Sequence, residues 1–435
     1  MEVIKMEKEL RIIKLKEIQE NGVPYQTGFR IRYQGDVKSF NVYKIPLKFL
    51  IYNKYNGRIG SRVKTFQKQY HELDAENDEH KKIIENFLWE SKKDRNENTM
   101  QDIILNGQLK VGIVTSAGVI IDGNRRALLL NKIWEHREEY RDNNTDNCEF
   151  FNAVILPEDA DPKEIQKLET TYQMGEDEKL PYDSIEKYLK IKDLLSFGFN
   201  ASDIGKMFQQ EESKIKEWIK IMKLMDQYLD YLGYTGVYTR LEKTEGPLVD
   251  LNSYIKRYDN SSKSRMVSWP YTDLDLTEMM LLCFDYIRAK YEGKEFREIA
   301  QPSAKESIFC KSKELWDDFL AEHKAKIRTI QEKSVPELIN ESPDEDLAKL
   351  TSGRDKDWTE KANGLLKGNL NKHFEKLQDL NDADQPTELA IKAWNALAAI
   401  NKDVPQFFED ASLMETLKNI NKLSFEMMRE IKKHG

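Results

Sequence analysis

The segment GVIIDGNRRALLL, residues 118–130, constrains the fold of this chain more than any other stretch. Val119–Ile121 is short and apolar, which predicts a buried strand. Asp122 and Gly123 predict a tight turn, because glycine tolerates a positive φ angle. Asn124 is a residue type that caps helices, and an amphipathic sequence follows it. The segment therefore predicts a strand, a turn and a helix in immediate succession.

Two arginines follow that turn directly. A helix N-terminus offers unpaired amides and a partial positive charge, and Arg125 and Arg126 would add guanidinium donors there. One guanidinium group can bind two phosphate oxygens at once. This arrangement therefore indicates a binding site for a phosphate of a nucleotide or of a nucleic acid. An alternative stays open at this point, in which Asp122 pairs with one of the arginines and only fixes the turn.

Composition limits the classes of protein that the chain can belong to. Charged residues make up 33% of its 435 residues and hydrophobic ones 39%, and no run of eighteen apolar residues occurs, so we expect no membrane span and several domains. The net charge is −8, yet residues 1–70 hold 15 basic and 6 acidic residues. Three distant cysteines fit a reducing cytoplasm. A basic N-terminal part on an acidic chain could attract phosphates locally.

Residue periodicity predicts an α+β fold with a long helical remainder. Alternating apolar and charged residues predict strands at 11–18, 28–35 and 39–50, and apolar runs predict a hairpin within 109–122 and a strand at 150–157. Helical spacing dominates 76–106 and most of the chain after 162, and residues 340–357 resemble a linker. The predicted domains are an α+β domain at 1–160, a helix-turn-helix domain at 161–235, a mostly helical region at 236–340 and a helical domain at 341–435.

Three segments together resemble the ParB-like domains of the ParB/sulfiredoxin superfamily. Gly123, Arg125 and Arg126 match the arginine-rich box of that family, and Leu128 and Leu129 replace its later Arg and Ala. The opening box is matched by Ile45, Pro46, Leu47, Asn53 and Arg58. The third box would begin at Glu169, with Thr170 and Gln173 in place of Asn and Arg.

This resemblance implies a nucleotide-responsive domain. It implies that CTP or ATP, with Mg²⁺, binds at the three boxes, and the residues that it assigns to the nucleotide are Arg58, Gly123, Asn124, Arg125, Arg126, Glu169 and Thr170. The same resemblance places a DNA-binding helical domain after the third box and covers about residues 44–225.

The sequence after residue 184 predicts a helix-turn-helix by itself. A helix at 185–197 ends at Gly198, Asn200 can cap a second helix, and Gly205 is the small residue that lets two helices cross closely. After a turn at Gln209-Gln210, Ile215, Trp218, Ile219 and Leu224 would form the buried face of the third helix. Its outward residues would contact double-stranded DNA, and we assign that role to Ser213, Lys214, Lys216 and Lys220.

Two other classes of function stay open. Asp122 and Glu169 could hold a metal ion for phosphodiester hydrolysis, which would make the protein a nuclease or a defence-system enzyme. The helix-turn-helix could instead be a packing or protein-binding module of an adaptor. In that case apolar residues of the tail could pack on one another within one chain or form a homodimer seam, namely Trp394, Leu397, Ile400, Phe407, Phe408, Leu413, Leu417 and Ile420.

Overall fold

A computed structural model describes residues 8–140, 145–175, 184–242, 244–258, 266–290 and 295–434. The chain forms two compact units, Met1–Asn371 and Lys372–Gly435, and each is considered by itself. The first unit is α+β, as its sequence predicts, and it holds one mixed sheet of five strands in the order β1-β2-β5-β3-β4. These strands are β1 (Gln26–Tyr33), β2 (Asp36–Pro46), β3 (Gly112–Val114), β4 (Ile120–Asp122) and β5 (Phe150–Ile155).

The strands β1 and β2 form an antiparallel hairpin, which the alternating sequence predicts. Ile31 pairs with Lys38 and Tyr33 with Asp36, and the turn between them uses positive φ angles of 55° at Gln34 and 88° at Gly35. Two consecutive left-handed residues match the natural twist of a hairpin. On its other edge β2 pairs antiparallel with β5, which runs parallel to β3, and β3 forms the predicted hairpin with β4.

Helices cover both faces of this sheet, because neighbouring strand residues point to opposite sides. Ile120 belongs to the core on one side and Ile121 to the core on the other. The first side is covered by α1 (Lys8–Asn21), α2 (Gly60–Gln69), α3 (Asp78–Glu90), α4 (Lys93–Asn106) and α5 (Asn124–Glu135). The second side is covered by α6 (Pro162–Gly175), whose Leu168 is buried there. The front part of the chain thus has three layers, with helices on both sides of the sheet. Strand β4 is part of the sheet, and α5 belongs to the helices on its first side.

The strand predicted at residues 11–18 is wrong, since this segment lies in helix α1. Arg11 and Leu15, one helical turn apart, are both buried, whereas Ile13 is exposed. The Arg11 side chain donates to the carbonyl of Ala117 at 2.7 Å and to Glu76 at 2.8 Å. These distant contacts stabilise a helix in a sequence whose local alternation favours a strand.

Next along the chain comes the segment that the sequence predicts as a helix-turn-helix. It consists of α7 (Ser184–Ser196), α8 (Ala201–Phe208) and α9 (Glu212–Tyr231), which share an apolar core around Leu194, Ile204 and Ile215. Six further helices follow: α10 (Glu245–Tyr258), α11 (Asp273–Arg288), α12 (Glu295–Ala300), α13 (Ile308–Lys311), α14 (Lys313–Ile327) and α15 (Val335–Glu341).

The linker predicted at residues 340–357 is also wrong. Helix α15 extends into it, and α16 (Leu347–Ala398) begins inside it. Asp355 of this segment is buried, and its carboxylate accepts hydrogen bonds from Tyr234 at 2.7 Å, Arg288 at 2.9 Å and Arg240 at 3.1 Å. The charge of Asp355, which in the sequence suggests a solvent-exposed linker, therefore has its partners inside the protein.

The second unit is helical, in agreement with the predicted helical tail. It contains the part of α16 from residue 372 onward, a short α17 (Gln406–Glu409) and α18 (Ala411–His434). Within the described ranges of the whole chain, no helix is both long enough and apolar enough to cross a lipid bilayer.

Candidate phosphate turn and nucleic-acid interface

The turn between β4 and α5 depends on glycine at position 123. Gly123 has a φ angle of 104°, and a Cβ atom built on it would lie 2.6 Å from the ring of Phe151. Any other residue would be strained by both the backbone angle and this close contact. Helix α5 begins at the next residue, so the predicted strand–turn–helix is present.

Asn124 does not cap the helix, contrary to the prediction. The N-cap position is Gly123, and Asn124 is the first helical residue. Its side-chain oxygen accepts a hydrogen bond from the backbone nitrogen of Asn53 at 2.8 Å, and its side-chain nitrogen donates to the carbonyl of Ile120 at 3.1 Å. The side chain is only 2% exposed. Asn124 therefore joins two of the three segments that resemble ParB-like boxes, and its polar atoms have hydrogen-bond partners within the protein.

The acidic and basic residues of the turn pair with each other. Asp122 accepts a hydrogen bond from Arg126 at 2.6 Å, so the pairing considered in the alternative is present for one of the two arginines. Arg125, which precedes Arg126 in the same helical turn, is half-buried. Arg58 is also half-buried, and its backbone nitrogen donates to the side chain of Asn56 at 3.0 Å.

The first two residues of the third box lie in the interior. Glu169 and Thr170 of α6 are both fully buried. The Thr170 hydroxyl donates to the carbonyl of Gln166 at 2.7 Å, and Glu169 lies 3.2 Å from the ammonium of Lys190, which also donates to the Gln166 side chain at 3.0 Å. The carboxylates Asp122 and Glu169 thus each have a cation of their own. The described residues contain no group of three or more His, Cys, Asp or Glu side chains that could hold a metal ion.

The sequence gives no indication of one contact between the front part and the helix-turn-helix. Glu186 of α7 is 5% exposed, and it accepts hydrogen bonds from the hydroxyl of Ser61 at 2.6 Å and from its backbone nitrogen at 3.1 Å. The carboxylate therefore occupies the N-terminus of α2, where negative charge is stabilised. Nearby, Lys64 pairs with Asp193 at 2.7 Å. These partners are separated by more than a hundred residues, and no local pattern indicates them.

The cap, the close glycine contact and the turn that the sequence predicts for the helix-turn-helix segment are present. The side chain of Asn200 accepts a hydrogen bond from the backbone nitrogen of Asp203 at 2.9 Å and so caps α8. A Cβ atom built on Gly205 would lie 2.7 Å from the backbone oxygen of Gln210, so α8 and the turn approach as closely as the sequence predicts. Gln209 forms the turn with a φ angle of 53°. Ile215 and Leu224 are buried, while Trp218 and Ile219 pack half-buried against the core.

The four residues assigned to DNA are exposed on the first turns of α9. These are Ser213, Lys214, Lys216 and Lys220. Lys214 pairs with Glu217 at 2.9 Å and Lys216 with Glu212 at 2.6 Å. Lys220 has no carboxylate within ion-pair distance among the residues that the structure describes.

An aromatic and basic group lies beside this face. The ammonium of Lys187, on α7, is 4.3 Å from the centre of the Trp218 ring. Burial lowers the pKa of Lys187, and Lys214 lowers it further, while the carboxylate of Glu245 opposes both effects.

Comparison of the chain with protein-family models, with curated proteins and with solved structures gives no match.

Proposed function

We propose that this protein binds double-stranded DNA through its helix-turn-helix, with the first turns of α9 in the major groove. The observation that supports this most directly is the arrangement of α8 and α9. A capped short helix, a left-handed turn and a close glycine contact present four exposed polar residues at the N-terminal end of the third helix. The N-terminal residues of a recognition helix are those that contact base edges.

The charges of α9 are compatible with this role, although they are balanced within the helix. The pairs Lys214–Glu217 and Lys216–Glu212 are exposed and lie within one helical turn. Such pairs stabilise a helix by about 0.2–0.5 kcal/mol. That is small enough for the lysines to exchange carboxylates for phosphates, and Glu212 or Glu217 could then accept a hydrogen bond from cytosine.

The front domain would bind a phosphate at the turn formed by Gly123–Arg126. The N-terminus of α5 and the guanidinium of Arg125 support this part of the proposal. Following the resemblance to ParB-like domains, we propose CTP or ATP with Mg²⁺ as the ligand. The side chains of Asn124, Glu169 and Thr170 have partners inside the protein, so the phosphates would contact backbone amides and arginines instead.

The metal-dependent nuclease is a weaker candidate on this geometry. Catalysis would require Asp122 and Glu169 to share a cation, yet the first is paired with Arg126 and the second with Lys190 in the interior. The adaptor alternative predicts neither DNA nor nucleotide affinity, so the same binding measurements distinguish it from our proposal.

A titration of the full chain with a fluorescent duplex of about thirty base pairs, repeated from low to physiological salt, tests DNA binding. Phosphate contacts produce a negative slope of log affinity against log salt concentration. Lys220→Ala should reduce that slope by about one unit, as expected for a lost phosphate contact. Lys349→Ala removes an exposed lysine of α16 that pairs with Glu345, and it should leave the slope unchanged. Absence of saturable binding at low salt would refute the proposal.

Nucleotide binding needs its own experiment. Labelled CTP and ATP are titrated, with and without Mg²⁺, against the wild-type protein and against Arg125→Ala. We expect saturable binding that weakens at least tenfold in the variant, since a charged hydrogen-bond donor to a phosphate is lost. If neither nucleotide binds, the nucleotide part of the proposal fails while the DNA part is untouched.

A further inference from the structure

The second unit exposes an unusual amount of apolar surface. Ten large apolar side chains in it are more than half exposed, while the much longer described part of the first unit has eight. Trp394 and Ile431 reach 71% each, and the full set is Leu389, Ile391, Trp394, Phe408, Met414, Leu423, Phe425, Met427, Met428 and Ile431. Apolar clusters of this size on a single chain mark interaction surfaces.

Helix α18 concentrates this surface on one broad face. Leu413, Leu417, Ile420, Met427 and Ile431 repeat at intervals of four, three, seven and four residues, which is a heptad pattern. Leu413, Leu417 and Ile420 are half-buried. The flanking positions are apolar as well, since they hold Met414, Leu423 and Met428. An apolar face that includes these flanks is wider than one neighbouring helix covers and is typical of a helical bundle.

The last turns of α18 have no packing partner within the described part of the second unit. From residue 421 to residue 434 every side chain is exposed. Most of the stability of a helix in a protein comes from packing of its apolar face rather than from helix propensity. Met427 and Ile431 lie on this segment, so the exposed stripe is also the surface whose burial would stabilise the helix.

Charge and area both point to a second copy of the same chain as the occupant. Residues 372–398 contain three basic and five acidic residues, and α18 contains five basic and three acidic ones, so the two helical segments carry net charges of −2 and +2. Two-fold pairing can place the basic segment of one copy against the acidic segment of the other. Ten side chains of this size, each more than half exposed, offer about 1,000 Å² per copy. A stable interface buries about 800 Å² per partner.

We propose that the second unit is a homodimerisation module in which the exposed apolar face of α18 packs against the C-terminal helices of a second copy. This sharpens the seam predicted from sequence. Leu397, Ile400, Leu413, Leu417 and Ile420 of that seam are already half-buried in one chain, and the surface left for the partner is centred on Leu423, Met427 and Ile431. The inference does not depend on DNA binding, although a dimer would present two helix-turn-helix elements to one duplex.

Sedimentation velocity of the full-length protein, from 0.1 to 50 µM, tests the proposal. We expect the wild type to sediment at twice the mass of one chain in the micromolar range. The double variant Met427→Glu and Ile431→Glu should raise the dimer dissociation constant at least a hundredfold, because four carboxylates would be buried in an apolar seam. Both side chains are exposed in the single chain, so the fold of the monomer should be unaffected.

A matched control keeps the outcome interpretable. Asn419→Glu with Lys422→Gln changes the net charge by the same amount on the polar face of α18 and should leave the dimer intact. A wild-type protein that stays monomeric at 50 µM, or an apolar-face variant that dimerises as well as the control, would overturn the proposal. A larger oligomer would do so too, because the proposed interface joins two copies only.

Discussion

The side-chain oxygen of Asn124 lies 2.8 Å from the backbone nitrogen of Asn53, and this hydrogen bond connects two segments that are 71 residues apart. It joins the turn before α5 to the loop that follows β2. Both segments carry boxes that resemble ParB-like domains, so the contact fixes the relative position of the residues that we assign to the phosphate ligand. Asn124 thus has a positioning role, and the phosphate ligand would contact the residues next to Asn124.

Replacement of Asn124 by alanine should destabilise the front part of the protein. The change leaves the Asn53 amide and the Ile120 carbonyl without their partner in a buried place, and an unsatisfied buried group costs about 1–3 kcal/mol. Thermal unfolding followed by circular dichroism would show a lower midpoint. Asn131→Ala, in the same helix, removes only an exposed bond to Glu135 and should change the midpoint little. Equal midpoints for the two variants would contradict the positioning role.

Replacement of Gly205 by alanine should disrupt the helix-turn-helix. The added Cβ atom would lie 2.7 Å from the Gln210 backbone oxygen, so α8 and the turn before α9 must separate, at a cost of about 1–3 kcal/mol. We expect a large loss of DNA affinity in the duplex titration, because α9 loses its orientation. Gly364→Ala in α16 meets no atom within 4 Å and should stabilise its helix slightly. DNA affinity that survives Gly205→Ala would argue against α9 as the contact element.

The buried carboxylate of Asp355 should be among the most sensitive positions of the first unit. Asp355→Asn keeps the shape but removes the charge that faces Arg288 and Arg240, and a buried ion pair that loses one partner costs about 3–5 kcal/mol. Urea unfolding would measure this loss. Asp357→Asn is the matched control, since it breaks only an exposed pair with Lys361 that is worth at most about 1 kcal/mol. Similar losses in both variants would mean that the buried network contributes little.

Glu85 should make the stability of the protein depend on pH. Burial raises the pKa of Glu85 above its ordinary value, against the opposing effects of Lys81 and of a hydrogen bond from Tyr52. The folded state therefore holds this proton more tightly than the unfolded state, and the unfavourable contribution of the carboxylate grows as pH rises through the folded-state pKa. Glu85→Gln should raise the thermal midpoint at pH 7.5 and leave it unchanged at pH 4. The exposed Glu90→Gln should show no such difference, and a pH-independent effect at Glu85 would contradict this assignment.

Local sequence patterns predicted the elements whose determinants lie close together in the chain. The β1–β2 hairpin follows from alternation and from Gln34-Gly35, and the helix-turn-helix follows from Asn200, Gly205 and helical spacing. In each case the cap, the turn and the apolar stripe act within a few residues of one another. Such local features therefore predict the same element whatever the structure of the rest of the chain.

The two wrong predictions, a strand at residues 11–18 and a linker at residues 340–357, have a common physical cause. Residues 11–18 alternate like a strand, yet Arg11 reaches Ala117 and Glu76 from a helix. Residues 340–357 are polar like a linker, yet Asp355 is enclosed by Arg240 and Arg288. In both segments a charged residue finds a partner that is distant in sequence, and local composition carries no information about that partner.

The sequence by itself determined that Gly123, Arg125 and Arg126 follow a buried strand and begin a helix, because a glycine turn and an apolar run act locally. Only the tertiary structure decided which polar groups around that turn have hydrogen-bond or ion-pair partners inside the protein. It pairs Asp122 with Arg126, encloses Asn124 against Asn53, and buries Glu169 with Lys190. The reason is that a hydrogen bond between segments far apart in the chain depends on the packing of the whole domain, and a short sequence pattern does not encode that packing.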